Sequence, residues 1–322
     1  MQPFYSVVVP VYNEAGNITR LHTELCAIMD GLTKPYEIIY INDGSTDESA
    51  EELATLAPAT VIDFNRNYGQ ATALDAGFKH ATGETVISLD GDGQNDPADI
   101  PRLLAELESR ELDVVAGWRK ERKDTDRIKV LTRIGRFLRR YLIRDTVHDT
   151  GCTLRVYRQQ AVKSLDLQGE MHRYILALLR WKGFRIDELV VTDRPRVHGV
   201  SKYGISKAVR GFIDLVFIWF IHKYSQRPLH IFGYVSLLVF AVGALFLLYA
   251  AYQKLFFGFP INRSGHFLLG AFSLLGAMVM FSFGVVIDLL IKIHLNNSPY
   301  EKRYYIRRIM RNEQDTNTAT HV

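Results

Sequence analysis

Two long stretches without a charged residue, both near the C-terminal end, constrain this chain more than any other feature. Residues 229–252 and 264–287 contain no Asp, Glu, Lys or Arg. Each is longer than the roughly 20 apolar residues with which a helix crosses a hydrocarbon core of about 30 Å. The sequence therefore predicts two transmembrane helices, joined by a loop that contains Gly258, Pro260 and Asn262. The alternative is a buried helical hairpin in a soluble protein.

The cations around these stretches predict their orientation. The connecting loop carries only Lys254 and Arg263, whereas many more cations flank the pair. By the positive-inside bias, both termini of this multi-pass membrane protein are expected to be cytosolic. The flanking cations are Lys223, Arg227, Lys292, Lys302, Arg303, Arg307, Arg308 and Arg311.

The 322 residues are predicted to form four segments. A cytosolic catalytic domain spans residues 1–203, and an interfacial amphipathic helix spans residues 204–228. The two-helix transmembrane hairpin follows at 229–291, and a basic cytosolic tail at 292–322.

Neither a signal peptide nor a disulfide is expected. The apolar stretch at residues 4–11 is short and lacks a basic n-region. Cys26 and Cys152 lack metal-ligand spacing, so they are expected to be reduced residues of a cytosolic core. The net charge of +4 is concentrated rather than spread, and we expect no nucleic-acid partner.

Residues 127–144 hold much of the positive charge. Seven cations alternate there with Ile and Leu residues at helical spacing. Such a basic amphipathic helix suits an anionic membrane surface. The alternative is a solvated helix face packed by a leucine stripe.

The N-terminal part alternates apolar runs with helical patterns. The runs that predict buried parallel strands are residues 5–9, 37–41, 60–64 and 85–89. The predicted helices begin after Asn13, near Ser45 or Thr46, at Ala71 and after Pro97. This alternation predicts an α/β fold, with a Rossmann-like, mostly parallel sheet and helices on both faces.

Polar motifs follow three of the predicted strands, where ligands bind in such sheets. Asp90, Asp92 and Gln94 alternate after the fourth strand, so we expect an extended segment whose side chains point the same way. Oxygen ligands of this kind suit Mg²⁺ or Mn²⁺. The alternative is an ordinary Asp-Gly turn.

Glu14 and Asp43 are expected near this segment, on adjacent strand ends. Carboxylates gathered in a cleft need a cation or hydrogen-bond donors to offset their repulsion. They can also accept hydrogen bonds from a nucleobase and a ribose. The alternative is that both are helix N-caps.

Six ordered motifs resemble those of a known family. They are PVYNE (10–14), NDGSTD (42–47), RNYGQ (66–70), DGDGQ (90–94), DTGCTLR (149–155) and RVHGVSKY (196–203). The first four are similar to family 2 of the inverting glycosyltransferases, which have the GT-A fold. The last two, followed by two spans, resemble its polyprenyl-phosphate branch. That branch includes dolichyl-phosphate mannose synthases, undecaprenyl-phosphate glucosyltransferases and undecaprenyl-phosphate aminoarabinose transferases.

The resemblance, which covers residues 4 to about 308, implies a nucleotide sugar, with uridine expected first, and a polyprenyl phosphate as substrates. The product would be a polyprenyl-monophosphate sugar for cell-envelope glycan or lipid A modification. The residues implied for the nucleotide are Pro10, Tyr12, Asn13, Glu14, Asp43 and Asp90. Those implied for Mg²⁺ or Mn²⁺ are Asp90, Asp92 and Gln94. Asn42 departs from the Asp of many relatives, so no second carboxylate is expected there.

The acceptor needs cations more than a base. A phosphate monoester is largely ionised at neutral pH, since its second pKa is about 6. The candidate acceptor residues are Arg119, Arg133, Arg196, Ser201 and Lys202. The alternative is a set of surface cations near lipid headgroups.

Asp149 and Asp92 are the predicted catalytic residues. Asp149 matches the residue assigned as the base in this branch. Because an ionised phosphate needs no deprotonation, Asp149 can instead orient the acceptor or the metal. His148 and His198 are expected to be hydrogen-bonding side chains.

Two other functions compete with this prediction. A processive polysaccharide synthase would carry Gln-x-x-Arg-Trp, but Ala177 stands where the Gln belongs before Arg180 and Trp181. A non-catalytic membrane scaffold would tolerate loss of the acidic residues. Small residues in the spans permit either a homo-oligomer or close packing of the two spans; they are Gly243, Gly270, Gly276 and Gly284.

Overall fold

The structure is a computed structural model that describes residues 2–120, 147–194, 215–216, 219–220, 228–261 and 264–297. Within these ranges, seven strands form one sheet in the order β3-β2-β1-β4-β6-β5-β7. The strands are β1 (Tyr5–Val11), β2 (Tyr36–Asn42), β3 (Thr60–Asp63), β4 (Thr85–Ser88), β5 (Val114–Trp118), β6 (Arg155–Arg158) and β7 (Ile186–Val190). The four predicted strands are therefore all present, in a GT-A-like sheet.

One strand runs against the others. β6 pairs antiparallel with β4 and with β5, whereas the remaining neighbours are parallel. Arg155, the first residue of β6, lies opposite Ser88 near the carboxyl end of β4. The residues that precede β6 therefore reach the same edge of the sheet as the carboxyl ends of β4 and β5.

Helices cover both faces of the sheet, as predicted. They are α1 (Ile18–Asp30), α2 (Ser49–Ala54), α3 (Gln70–His80), α4 (Ile100–Ser109), α5 (Gln159–Lys163), α6 (Ile175–Trp181), α7 (Pro228–Phe257) and α8 (Gly265–Asn297). Two 3₁₀ helices, Pro97–Asp99 and Met171–Tyr174, lead into α4 and α6. Pro97 starts its helix as expected, because Asp96 accepts a hydrogen bond from Ala98 N at 2.9 Å and caps it.

The two faces have separate apolar cores because successive strand residues point to opposite sides. Val7 and Val9 of β1 pack with α1 and α4, and Val8 packs with α3 and α6. Cys152 is buried in the first core, and both cysteines are free thiols. The strands are therefore packed on both faces, and the loops that form the site follow their carboxyl ends.

α7 and α8 form an apolar hairpin with exposed side chains. Residues Leu229–Phe257 and Gly265–Leu290 have mean hydropathies of 2.5 and 2.1, and each is long and apolar enough to cross a membrane. Leu255 is 81% exposed and Phe272 is 68% exposed, which is unlike the core helices of a soluble protein. The hairpin therefore presents its apolar surface outward.

Small residues bring the two helices of the hairpin together. A Cβ atom at Gly243 would lie 3.0 Å from Gly270 O, and one at Gly270 would lie 2.9 Å from Gly243 O. Only glycine permits such an approach at these two positions. Gly276 has no atom within 4 Å of a Cβ built on it. The glycines thus pack the spans against each other, and a homo-oligomer stays a prediction.

A short apolar contact joins the domain that contains the sheet to the hairpin. Leu215 is buried against Tyr174 and Ala177, and Trp219 packs beside them. The Phe220 ring meets a ring of α7, that of Phe232, at a centroid distance of 6.2 Å. The rest of the predicted interfacial helix lies outside the described residues, as does the basic helix at 127–144. Of the predicted tail at 292–322, the first residues continue α8 to Asn297, and residues 298–322 lie outside the described ranges.

His172 is a half-buried histidine that is expected to make the fold sensitive to acid. Burial, with the charges of Arg173 and Arg155 acting in the same direction, lowers the pKa of His172 to about 3. The unfolded chain binds this proton near its ordinary pKa of about 6.5, so stability falls as pH drops from there toward the folded value. Protonation of His172 in the unfolded chain lowers the free energy of unfolding by at most about 1.4 kcal/mol for each pH unit in that window.

We therefore expect His172→Gln to lose less stability on acidification than the wild type. Thermal unfolding in detergent micelles at about pH 7 and about pH 4.5 measures the difference. His80→Gln is the control, because His80 is exposed, and it should follow the wild type. Equal acid sensitivity in all three proteins would contradict this prediction.

Candidate active site

The loops after β1 and β2 are tied together by side chains of the first two motifs. Asn13 has a φ of 55°, a left-handed conformation that Asn tolerates. Its backbone N donates to Ser45 Oγ at 3.1 Å, and its Oδ1 accepts from Thr46 N at 2.8 Å. The helix predicted to begin near Ser45 or Thr46 instead begins at Ser49, because these two residues bond to the neighbouring loop. Glu14 accepts from Asn17 Nδ2 at 2.9 Å and does not cap a helix.

Asp43 organises the loop that contains RNYGQ. It is only 3% exposed, and its two carboxylate oxygens accept hydrogen bonds from Tyr68 N and Gly69 N at 2.7 and 2.9 Å. Gly44 has a φ of +66°, and a Cβ there would lie 2.7 Å from Asn67 N, so only glycine fits beneath this loop. Asp43 is therefore a loop anchor at the site, and its predicted contact with a nucleotide stays a prediction.

Asn42 needs its amide. Its Nδ2 donates to Asp63 Oδ1 at 2.9 Å, while its Oδ1 accepts from Ser45 N at 3.1 Å. An aspartate at this position keeps the second bond but places two carboxylates in contact. Asn42 is thus paired with Asp63.

We expect Asn42→Asp to destabilise the fold by about 1–3 kcal/mol, since it buries an acceptor against an acceptor. The double variant Asn42→Asp with Asp63→Asn restores a donor and should recover most of the loss. Thermal unfolding of the two single variants and the double variant measures the coupling. Additive losses would contradict the pairing.

The acidic motif after β4 forms a turn rather than the expected extended segment. Asp92 Oδ1 accepts from Gln94 N at 3.1 Å, and Gly93 has a φ of 70°. The prediction of an extended segment was therefore wrong, because the Asp-Gly sequence forms a turn here. Asp90 is fixed beside Asp92, because Gln70 Nε2 donates to Asp90 Oδ1 at 2.7 Å and Asp90 N donates to Asn95 Oδ1 at 3.2 Å.

The predicted motifs converge through two links. Gly69 bonds to Asp43 and the next residue, Gln70, bonds to Asp90, so one loop connects both acidic motifs. A Cβ at Gly91 would lie 3.1 Å from Pro10 O, which brings the turn against the end of β1. Tyr12 is exposed at this edge, and Pro10 is buried within β1 rather than following it.

Electrostatics at the turn fit a bound cation. Burial, with the charge of Asp92 acting in the same direction, raises the pKa of Asp90 well above its usual range. A positive ion removes the cause of that repulsion. Within the described ranges, no group of three or more His, Cys, Asp or Glu side chains could hold a metal. Binding of Mg²⁺ or Mn²⁺ by Asp90, Asp92 and Gln94 stays a prediction.

Arg119 and Asp149 form an ion pair at the same edge. Arg119 Nε and Nη2 donate to the two oxygens of Asp149 at 2.8 and 3.3 Å, and both side chains are 11% exposed. Although burial opposes the charge, the hydrogen bonds that Arg119 donates to Asp149 raise the pKa of Arg119 above its usual value. Asp193 lies on the other side of the guanidinium, with its Oδ1 3.8 Å from Nη1.

The turn that carries Asp149 is held from β7. Glu188 accepts hydrogen bonds from His148 N at 3.0 Å and from Asp149 N at 3.3 Å. His148 Nδ1 lies 2.8 Å from Glu188 Oε2, and its ring stacks on Trp118 at 4.3 Å. Glu188 and Asp193 had no role in the sequence prediction, because neither lies in a motif. Four predicted acceptor residues lie outside the described residues: Arg133, Arg196, Ser201 and Lys202.

A GT-A-like sheet with an acidic turn after its central strand defines a glycosyltransferase. The chain belongs to glycosyl transferase family 2, whose family model matches residues 6–166. It is 37% identical to dodecaprenyl-phosphate galacturonate synthase of Rhizobium johnstonii, over 94% of this chain and 92% of that protein. It is 35% identical to undecaprenyl-phosphate 4-deoxy-4-formamido-L-arabinose transferase of Edwardsiella ictaluri, over 97% of this chain and 95% of that one. The predicted family and branch are confirmed.

Solved structures share the fold. Glucosyl-3-phosphoglycerate synthase of Mycobacterium tuberculosis, in complex with Mn²⁺, UDP and phosphoglyceric acid, matches with a TM-score of 0.55 and 18% identity. The match covers 68% of this chain and 78% of that one. A complex of the same enzyme with Mg²⁺ and UDP has a TM-score of 0.53, 17% identity, and coverage of 67% and 79%.

Proposed function

We propose that this protein transfers a sugar from a UDP-linked donor to the phosphate of a polyprenyl phosphate such as undecaprenyl phosphate. The reaction takes place at the cytosolic face of the inner membrane. Its product is a polyprenyl-monophosphate sugar for cell-envelope glycan or lipid A modification. The observation that carries the proposal is the acidic turn of Asp90 and Asp92, joined through Gln70 to the loop on Asp43, in a chain that also has two apolar helices.

The donor side follows from the acidic residues. Tyr12, Asn13 and Glu14 would contact the nucleotide, while Asp43 and the buried Pro10 would fix the loops around it. Asp90, Asp92 and Gln94 would hold a divalent cation. When bound, such an ion neutralises charge on the departing diphosphate. The raised pKa of Asp90 supports this role, because burial and the charge of Asp92 outweigh the opposing charges of Arg119 and Arg155. The names of both relatives describe transfer to polyprenyl phosphates, which supports the lipid acceptor.

The chemical step is a single displacement with inversion. An oxygen of the lipid phosphate attacks the anomeric carbon, and the bond from that carbon to the diphosphate oxygen breaks. UDP leaves with the electron pair, and no proton needs to move from an ionised phosphate. Asp149 is then proposed to position Arg119 rather than act as a base, because both of its oxygens are bonded to that guanidinium.

The acceptor side is assigned to Arg133, Arg196, Ser201 and Lys202. Arg119 was predicted on this side, but it is paired with Asp149 and its charge acts on Asp90, so we propose it for the donor side instead. The α7–α8 hairpin would keep these cations at the surface to which a lipid phosphate is delivered. Processive synthesis is disfavoured, because Ala177 is buried in a contact with Leu215 and offers no polar group.

A panel of donors tests the proposal. The purified full-length protein in nanodiscs with undecaprenyl phosphate and Mn²⁺ is given UDP-glucose, UDP-galacturonate, UDP-4-deoxy-4-formamido-L-arabinose or GDP-mannose in turn. We expect one UDP-sugar to yield a glycosylated lipid detected by mass spectrometry. A preference for GDP-mannose would overturn the UDP assignment. Failure to glycosylate the lipid with every donor, or formation of a polymer, would overturn the proposed function.

A further inference from the structure

Asp193 lies beside the proposed donor site, yet none of the roles above uses it. It follows β7, and its backbone forms an isolated antiparallel bridge with Asn95. The next residue, Arg194, donates from its backbone N to Gln94 O at 3.0 Å. These two contacts hold Asp193 next to the turn that carries Asp92.

One oxygen of Asp193 lacks a hydrogen-bond donor. Within the described part of the chain, Asp193 Oδ1 is buried and makes no hydrogen bond. Arg119 Nη1 lies 3.8 Å away, beyond the 2.7–3.2 Å typical of an N–H···O bond. Arg119 cannot turn further toward Asp193 without giving up its bonds to Asp149. A donor group and an acceptor group therefore face each other across a gap that neither closes.

The chemistry of this gap selects a neutral hydroxyl. The carboxylate of Asp193 disfavours a phosphate, and the guanidinium of Arg119 disfavours a metal ion. A hydroxyl group can accept from Nη1 and donate to Oδ1 at the same time. An oxygen about 2.8 Å from each atom satisfies both bonds across a gap of this width.

We propose that Asp193, together with Arg119, binds one hydroxyl of the sugar carried by the nucleotide donor, and so helps to set donor specificity. The inference rests on the proposed function, because it requires a nucleotide sugar in the site. Asp149 takes part only by fixing the guanidinium. A hydroxyl bound in this way would give Asp193 Oδ1 the hydrogen bond that it lacks.

The test combines a variant with deoxy donors. The donor found active in the panel is compared with its monodeoxy analogues, using wild-type protein and Asp193→Ala in nanodiscs. We expect Asp193→Ala to lower kcat/KM for the complete donor roughly 10- to 100-fold, with the dissociation constant of UDP alone unchanged. With the wild type, one deoxy donor should have a kcat/KM lower than that of the complete donor by a similar factor. With the variant, the same deoxy donor and the complete donor should have almost the same kcat/KM.

Control variants separate this role from a structural one. Asp187→Ala removes a carboxylate on β7 that pairs with Arg110 at the surface, and it should leave kcat/KM unchanged. Asp193→Asn keeps the shape and one oxygen, so it should lose less than Asp193→Ala and single out the same deoxy donor. If Asp193→Ala does not fold, Asp193→Asn carries the comparison.

Two results would overturn the inference. One is that, for every deoxy donor, the fold-loss in kcat/KM from the variant and the fold-loss from the missing hydroxyl multiply. Such independent losses would mean that no hydroxyl is coupled to Asp193. The other is that Asp193→Ala loses as much affinity for UDP alone as for the complete donor, or that its affinity for Mn²⁺ changes instead. Transfer by the wild type in the same assay would leave the proposed function standing in either case.

Discussion

Asp92→Asn is expected to abolish transfer of sugar to the lipid. The substitution keeps the shape of the side chain but removes one of two carboxylates at the acidic turn, which is 7% exposed at Asp92. Loss of this charge would weaken binding of the divalent cation. The negative charge on the departing diphosphate would then be less well neutralised. We expect a loss in kcat of roughly 10³-fold or more, by analogy with the removal of other charge-stabilising groups. Product formation at saturating Mn²⁺ measures it.

The matched control is Asp166→Asn. Asp166 pairs with Lys79 on the surface at 3.3 Å, so its variant loses a carboxylate without touching the site. It should keep wild-type activity. Measuring UDP binding with and without Mn²⁺ distinguishes an enzyme from a non-catalytic membrane scaffold. The wild type should bind UDP more tightly when Mn²⁺ is present, and Asp92→Asn should not. Full activity of Asp92→Asn would refute the assignment of the turn.

Breaking the Arg119–Asp149 pair is expected to cost both stability and activity. Asp149→Ala leaves the Arg119 guanidinium without its bidentate partner, while Asp193 still lies 3.8 Å from Nη1, so we expect a destabilisation of about 1–3 kcal/mol. Arg119→Lys should also fail in activity, by roughly 100-fold, because a lysine cannot bond to both oxygens of the carboxylate. Arg110→Ala, which breaks an exposed pair with Asp187, is the control and should change little.

The pH profile of Asp149→Asn distinguishes a positioning residue from a base. Asparagine still accepts one bond from Arg119, so the variant should be slower but keep the shape of the wild-type profile. Its acid limb should remain near pH 6, about where the lipid phosphate gains its second charge. If Asp149 were the base, the acid limb would disappear in this variant. That outcome would return Asp149 to the role implied by resemblance.

The parallel half of the fold could be predicted because its signals are local. β1, β2, β3 and β4 are apolar runs, and the carboxyl ends of parallel strands meet at one edge whatever the rest of the chain does. Glu14, Asp43 and Asp90 were therefore expected near one another. The loop through Gly69 and Gln70 now supplies the physical link between Asp43 and Asp90.

The remaining site residues come from pairings that no local pattern encodes. β6 lies antiparallel between β4 and β5, and this orientation brings Asp149 to Arg119, a residue thirty positions earlier in the chain. Asp193 reaches the site through a single bridge after β7. The helix start at Ser45 or Thr46 was wrong for a related reason, because hydrogen bonds to a distant loop replaced local capping.

The mass of the lipid product tests the central claim most directly. Wild-type protein in nanodiscs is incubated with undecaprenyl phosphate, Mn²⁺ and the active UDP-sugar, and the lipid and the released nucleotide are weighed by mass spectrometry. The account predicts a lipid that has gained one sugar and no phosphate, with UDP as the other product. A diphosphate-linked lipid released together with UMP, or more than one sugar on each lipid, would contradict it.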